Sequence, residues 1–468
     1  MSSIKRVQAM TPRKKPGRSV ALLSLLVGVM LVLSACGADP TATPQASTAA
    51  SAAASSSAAA SSAAASASTA GGASVAPSSA GSAAASASAS AGASAGATGS
   101  PTRPAATPAG SGTPTGSGTP ATGGTPNTSI KITGKQGDAD TLNGAGATFP
   151  QVLYSRWFDE YNKATGVKVN YQANGSSAGK NAIRDQTADF AGSDSIMSDA
   201  ELEAARAKCG DTIMHIPSAL GSIAVTYNIP ELPTTKLKMS ADLVAGIFLG
   251  TITKWNDPKI AAENAGVNLP NEDIVVVRRS DGSGTTDNFT GWLADANAEW
   301  KSKVGVGTTV NWPVGIGAQG NSGVAGELKN NPYSIGYVET IFANQQKLPY
   351  ADIKNKAGNY VAPTNAAVTA AAQEVAPQVP ADFRFRFTNA AGANSYPITV
   401  LTYLLVCPKQ TDQAKAVALT RMLWWATHEG QAINETLDFA RLPDSFVVRI
   451  EGMINNITVN GQKAFPGK

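Results

Sequence analysis

The chain has 468 residues and a formal net charge of +4, which is unevenly spread. Residues 1–137 carry nine Lys/Arg against one acid, Asp39, which leaves residues 138–468 at −4 and makes them a poor match for nucleic acid. Two histidines, His215 and His428, and three cysteines with no metal-ligand spacing argue against a zinc site.

Lys5, Arg6, Arg13, Lys14, Lys15 and Arg18 precede an apolar run, Val20 to Leu33. That run is too short for a comfortable membrane span and has the proportions of a signal peptide, assigned here to residues 1–35. It ends in Leu33-Ser34-Ala35-Cys36-Gly37, which resembles a bacterial lipobox. The resemblance implies that Cys36 becomes the first mature residue and carries a lipid anchor to the membrane. Residues 39 to about 130 are almost entirely Ala, Ser, Gly, Thr and Pro. Such a stretch buries too little apolar surface to offset its ordering entropy. Residues 36–137 are therefore expected to be a disordered linker, a flexible tether between anchor and folded body.

The remaining residues read as strands alternating with helices. Thr141 to Phe149 is a strand end and a Gly-rich turn. Val152, Leu153, Trp157, Phe158 and Tyr161 then recur at helical spacing, so Pro150 to Lys163 is a predicted helix with proline in its first turn. Val167 to Tyr171 alternates like a strand. The turn Gly175–Gly179 leads into a helix ending near Gln186, and Asp189 to Ser193 is a short strand entering a turn at Asp194. Ile223–Tyr227 is apolar and β-rich. Ile274–Val277 is β-branched and reads as a buried parallel strand, followed by a helix through Phe289, Trp292 and Leu293. Ile398–Val406 is a further strand and Ala414–His428 a helix, on which Trp424 and Trp425 are expected in the core. The alternation predicts an α/β fold with mostly parallel sheets. Cys209 and Cys407 could pair in an oxidising compartment; the simpler reading is two buried, unpaired thiols.

Three Gly/Ser/Thr-rich turns, around Thr148, Ser176 and Ser283, each open a predicted helix. A helix start exposes unpaired N–H groups and a partial positive charge, which suits an oxyanion. Hydroxyls there can cap the helix or donate to a ligand. Arg279 lies at the carboxyl end of a predicted strand, where ligands of open α/β sheets collect. Its guanidinium fits phosphate oxygens as a two-pronged fork, and Asp281 is close enough in sequence to orient it.

Several segments resemble the phosphate-binding subunit of bacterial phosphate-specific ABC transporters. They are Gly144–Pro150, Asn174–Gly179, Asp189–Asp194, Val277–Thr285, Trp312–Gly315, Ser334–Glu339 and Leu442–Asp444, in order across nearly all of 141–450. The resemblance implies a two-lobed periplasmic-binding-protein fold, type II-like, with inorganic phosphate in the cleft and membrane permease subunits as partners. It implies a discontinuous first lobe, 138–224 plus 396–468, a second lobe, 225–395, and a hinge near Ala224 and Pro397. Carried over by motif, the phosphate ligands would be Thr148, Phe149 (through its amide), Ser176, Asp194, Arg279, Ser283, Gly284 and Thr285, with Asp281 in support. No cofactor and no catalytic residue is implied. The expected protein is a monomer held on the outer face of the cell membrane.

Asp194 is out of place beside an anion unless a proton lies between the two. Phosphate near neutral pH still carries one and sulfate does not, so a carboxylate there would admit phosphate and penalise sulfate. An esterase reading of Ser283 finds no support: Gly282-Ser283-Gly284 is not the G-x-S-x-G elbow, and neither histidine is tied to it by a motif.

Overall fold

The computed structural model describes residues 124–467, so Cys36, the predicted signal segment and most of the linker lie outside the described residues. From its amino end the body begins with β1 (Thr141–Gly146), α1 (Gln151–Thr165), β2 (Lys168–Ala173), α2 (Ser176–Asp185), β3 (Phe190–Ser193) and α3 (Asp199–Cys209). Helix α1 forms as its apolar spacing requires. Leu153, Tyr154, Trp157, Phe158 and Tyr161 are buried, and Gly166, at φ 78°, ends the helix in a left-handed turn. A capping box of Ser198 and Glu201 opens α3.

Next come the long strand β4 (Met214–Asn228), β5 (Val275–Arg279), α4 (Gly284–Ala296), β6 (Ile316–Ala318), α5 (Gly320–Asn330), β7 (Ser334–Glu339), β8 (Thr399–Val406), α6 (Gln413–Thr427) and α7 (Asp444–Asn455). Eight strands make one sheet in the order β2-β1-β3-β8-β4-β7-β5-β6. Its two flanks are parallel, β1 with β2 and β3, and β5 with β6 and β7. Its centre is antiparallel, because β8 pairs with both β3 and β4, and β4 pairs with β7. The expectation of mostly parallel pairing thus holds for the flanks and fails at the centre.

Strand β4 is shared by both halves. Met214–Ser222 pair with β8 and Ile223–Asn228 with β7. Only its second half was predicted, since Pro217, Ser218 and Ser222 interrupt the apolar run of the first. Those polar groups are satisfied internally: Ser218 Oγ donates to Thr402 O at 3.1 Å, and Ser222 Oγ meets Thr340 Oγ1 at 2.7 Å.

Two further expectations need correction. Cys209 and Cys407 form a disulfide across 198 residues, not two free thiols; their Cα atoms lie 5.2 Å apart, which chain order could not show. The chain is also packed before residue 138. The Asn127 amide donates to Glu451, Ile132 is buried, and Arg421 Nη2 donates to the carbonyls of Thr133 and Gly134 at 3.0 and 2.8 Å. A fully buried ion pair, Arg421 with Asp138 at 3.3 Å, anchors this strap. Trp424 and Trp425 are core residues, as expected; Trp424 stacks between His428 and Phe465.

Candidate functional site: an interlobe anion cleft

The three predicted helix starts come together. Helix α1 begins after Thr148 and Pro150, α2 begins at Ser176 behind Gly175, and α4 begins at Gly284 with Ser283 as its cap. Gly175 needs no side chain: its φ is 102°, and a Cβ there would lie 2.7 Å from Asp281 Oδ2. Gly284 faces the opposite half just as tightly. A Cβ on it would sit 2.6 Å from Ser176 Oγ and 2.7 Å from Asp194 Cβ. The two halves are therefore closed on each other, and Ser177 N donates to Gly282 O at 3.1 Å across the gap.

Arg279 ends β5 inside this cleft and is almost wholly buried. Its Nε donates to Asp281 Oδ1 at 2.7 Å and its Nη2 to Oδ2, a paired fork. Asp281 is held in turn by the Gly320 amide at 3.0 Å. Burial would raise the Asp281 pKa, but the Arg279 hydrogen bonds and charge outweigh it and hold the carboxyl below its ordinary value. Asp281 thus fixes the direction of the Arg279 guanidinium. With Nε and Nη2 committed, Arg279 Nη1 faces Asn321 Oδ1 at 3.0 Å and Thr285 Oγ1 at 3.4 Å.

Asp194 follows β3 and is buried against the same space. Burial pushes its pKa up to about 7, against the lowering effects of Thr402, Arg279 and Ser176. Thr402 Oγ1 donates to Oδ1 at 2.7 Å and Ser176 Oγ to Oδ2 at 3.3 Å. Ser283 Oγ accepts the Thr286 amide at 3.2 Å, which leaves its own proton free to reach a ligand. Thr148 Oγ1 accepts from Asn321 Nδ2 at 2.8 Å. Phe149 is different: its ring is fully buried against Phe439, so only its backbone amide could serve a ligand.

Residues 107–419 match the PBP superfamily domain. The chain is 40% identical over 313 residues to "Phosphate-binding protein PstS" of Pasteurella multocida (strain Pm70), covering 67% of this chain and 89% of that protein. It is 40% identical over 326 residues to the protein of the same name from Xylella fastidiosa (strain Temecula1 / ATCC 700964), covering 69% and 88%. This chain belongs to the PstS family of phosphate-binding proteins within the PBP superfamily. A solved relative of the two-lobed fold is a high-affinity periplasmic phosphate-binding protein (PfluDING) bound with phosphate. Its TM-score is 0.55 at 25% identity, over 67% of this chain and 93% of that one.

Some members of the cleft escaped sequence reasoning. Asn321 opens α5 and bridges Arg279, Thr285 and Thr148, although it follows an unremarkable glycine in the chain. Thr402 lies on β8, more than two hundred residues from the Asp194 it serves. Asn288 Nδ2 donates to the Asp194 carbonyl at 2.6 Å and ties α4 to the facing turn. Glu339 ended a segment that carried the family resemblance, yet nothing in its spacing gave it a role. Among the described residues no cluster of three or more His, Cys, Asp or Glu could hold a metal ion. The histidines are structural: His215 Nε2 accepts the Met197 amide, and His428 pairs with Glu451.

Proposed function

We propose that this chain captures inorganic phosphate between its lobes, outside the cytoplasmic membrane, and delivers it to the permease subunits of an ABC-type importer. The observation that carries this reading is the convergence at one buried place of Ser176 and Asp194 from one half with Arg279, Ser283 and Thr285 from the other. The helix-start amides of α1, α2 and α4 supply uncharged donors, Arg279 supplies one fixed cation, and Asp194 accepts the proton that phosphate retains. Family membership and the phosphate named in its relatives support the same reading.

Further parts belong to this proposal. The first lobe comprises residues 138–224 and 396–468, the second 225–395, and the hinge lies where β4 and the chain before β8 pass between them. The division of β4 pairing between Ser222 and Ile223 supports that boundary. The ligand set is Thr148, Phe149, Ser176, Asp194, Arg279, Ser283, Gly284 and Thr285. The protein acts as a non-catalytic monomer, tethered through lipid on Cys36 by the linker that follows.

Thermal unfolding of the purified full chain with phosphate or sulfate tests the central claim. Phosphate at one hundred times its Kd should stabilise the fold by about 2.7 kcal/mol, with sulfate far less effective. No shift with phosphate, or equal shifts with both anions, would refute it. Turnover of a phosphate ester by the same preparation would favour an enzyme instead.

A further inference from the structure

Glu339, the last residue of β7, is a second buried acid of the cleft. Its Oε1 lies 2.9 Å from Thr285 Oγ1, and its Oε2 is buried with no hydrogen-bond partner among the described residues. The charged groups that act on it are Asp194, across the cleft on the turn after β3, and Arg279, at the end of β5. Arg279 is already neutralised by Asp281. Burial and the charge of Asp194 raise the Glu339 pKa to about 8, with Arg279 acting against them.

The geometry around Thr285 makes the protonation of Glu339 matter. A hydroxyl has one proton and two lone pairs. Arg279 Nη1 at 3.4 Å and Asn321 Nδ2 at 3.2 Å can only donate to Thr285 Oγ1. If Glu339 is ionised it can only accept, so it takes the one Thr285 proton. Thr285 then faces an incoming anion with no proton to give, and an ionised Glu339 adds a second negative charge beside Asp194. If Glu339 is neutral it becomes the donor. The Thr285 proton is then released toward the cleft, and the long Arg279 contact yields while Nη1 keeps Asn321 Oδ1 at 3.0 Å.

We propose that Glu339 is a neutral acid in the phosphate-loaded cleft, taking up a proton on binding where the empty cleft holds it ionised, and that it donates to Thr285 Oγ1, which makes the Thr285 hydroxyl a donor to the anion. Glu339 is on this account a positioning residue, acting through Thr285. The step moves one proton from solvent to the Glu339 carboxylate and makes or breaks no other covalent bond. The bound anion itself favours the uptake, because a nearby negative charge raises a carboxylic acid's proton affinity. The inference rests on the reading of this cleft as the phosphate site.

Calorimetric titration with inorganic phosphate, in phosphate-free buffers of different ionisation enthalpy, counts the protons taken up. At pH 9 the wild-type chain should take up close to one proton more than Glu339→Gln, whose amide donates to Thr285 at every pH. Glu339→Gln should bind phosphate at pH 9 at least as tightly as the wild type, and its affinity should fall less between pH 7 and 9. Equal proton counts and superimposable pH profiles would overturn the proposal. So would loss of phosphate binding by a folded Glu339→Gln, since Glu339 would then be needed as an anion. If that variant does not fold, Thr285→Val serves: it removes the hydroxyl through which Glu339 acts, so affinity should fall less between pH 7 and 9 than in the wild type, and an unchanged profile would overturn the idea. A wild-type chain that binds no phosphate would refute the assignment of the site instead.

Discussion

At the residue scale the cleft is built from donors whose directions are fixed by neighbours and one acid that can accept. Asp194 receives Thr402 and Ser176, which favour its ionised form, while burial opposes it and brings its pKa to about 7. Under the proposed function it would, above that value, accept from phosphate and reject an anion without a proton; below it, it would become a donor that sulfate can use. Competition by sulfate should therefore be weak at pH 8 and grow as pH falls below 7, measured by displacement of bound phosphate. Asp194→Asn should abolish phosphate-over-sulfate selectivity at every pH, since its amide donates to either anion; retained selectivity in titration calorimetry would remove Asp194 from this role. The roles of Arg279, Asp281 and Asp194 could be argued from residue chemistry and family motif. Asn321 and Thr402 could not, because their partners are distant in sequence and neither residue type signals an anion site by itself.

At the element scale, helix starts meet across a gap too narrow for a methyl group. Gly284 is first in α4 and has no positive φ, so its requirement is one of space, not backbone conformation. Gly284→Ala should leave the open fold intact but resist closure, since the new Cβ would press on Ser176 Oγ and the Asp194 backbone. The expected result is phosphate affinity lower by about tenfold or more, equivalent to at least ~1.4 kcal/mol, with the phosphate-free melting temperature nearly unchanged. Equal affinity would show that the lobes do not approach this closely when loaded. The helices α1, α2 and α4 were legible because the Gly-rich turns before them and the residue spacing within them are local signals, although only α4 carries a side-chain cap, Ser283. The amino half of β4 was not, because its serines and proline resemble a loop until Thr402 and Thr340 are seen beside them.

At the scale of the whole molecule, a covalent link and buried charge tune stability. The Cys209–Cys407 bridge closes a loop of about two hundred residues, and by the chain-entropy account its removal should destabilise the fold by up to about 5 kcal/mol. Denaturant unfolding of Cys209→Ser/Cys407→Ser against the oxidised wild type measures this; equal stability would exclude the bridge as a stabilising element. The acids of the cleft give a second expectation. Asp194 and Glu339 have folded pKa values near 7 and 8, above those of unfolded carboxylic acids, so the folded chain binds more protons between those limits. Phosphate-free stability should thus fall as pH rises from 6.5 to 8.5, by about 3 kcal/mol. His215, lowered to about 4 by burial, acts in the opposite sense only below its ordinary value of 6.5. Asp194→Asn with Glu339→Gln should flatten the slope in a melting series, and an unaltered slope would place its origin elsewhere.

The amino-acid sequence by itself determined the α/β alternation, the helix starts, the strand-end arginine and the family, because each rests on short stretches whose physics is local. It also determined that the folded part carries a mild negative charge, so the proposed anion capture must rely on local donors. Only the tertiary structure decided the antiparallel centre of the sheet, the Cys209–Cys407 bridge, and the placing of Asn321, Thr402 and Glu339 around the cleft. Those features depend on distances between residues tens to hundreds of positions apart, and such distances are set by packing, not by neighbours in the chain.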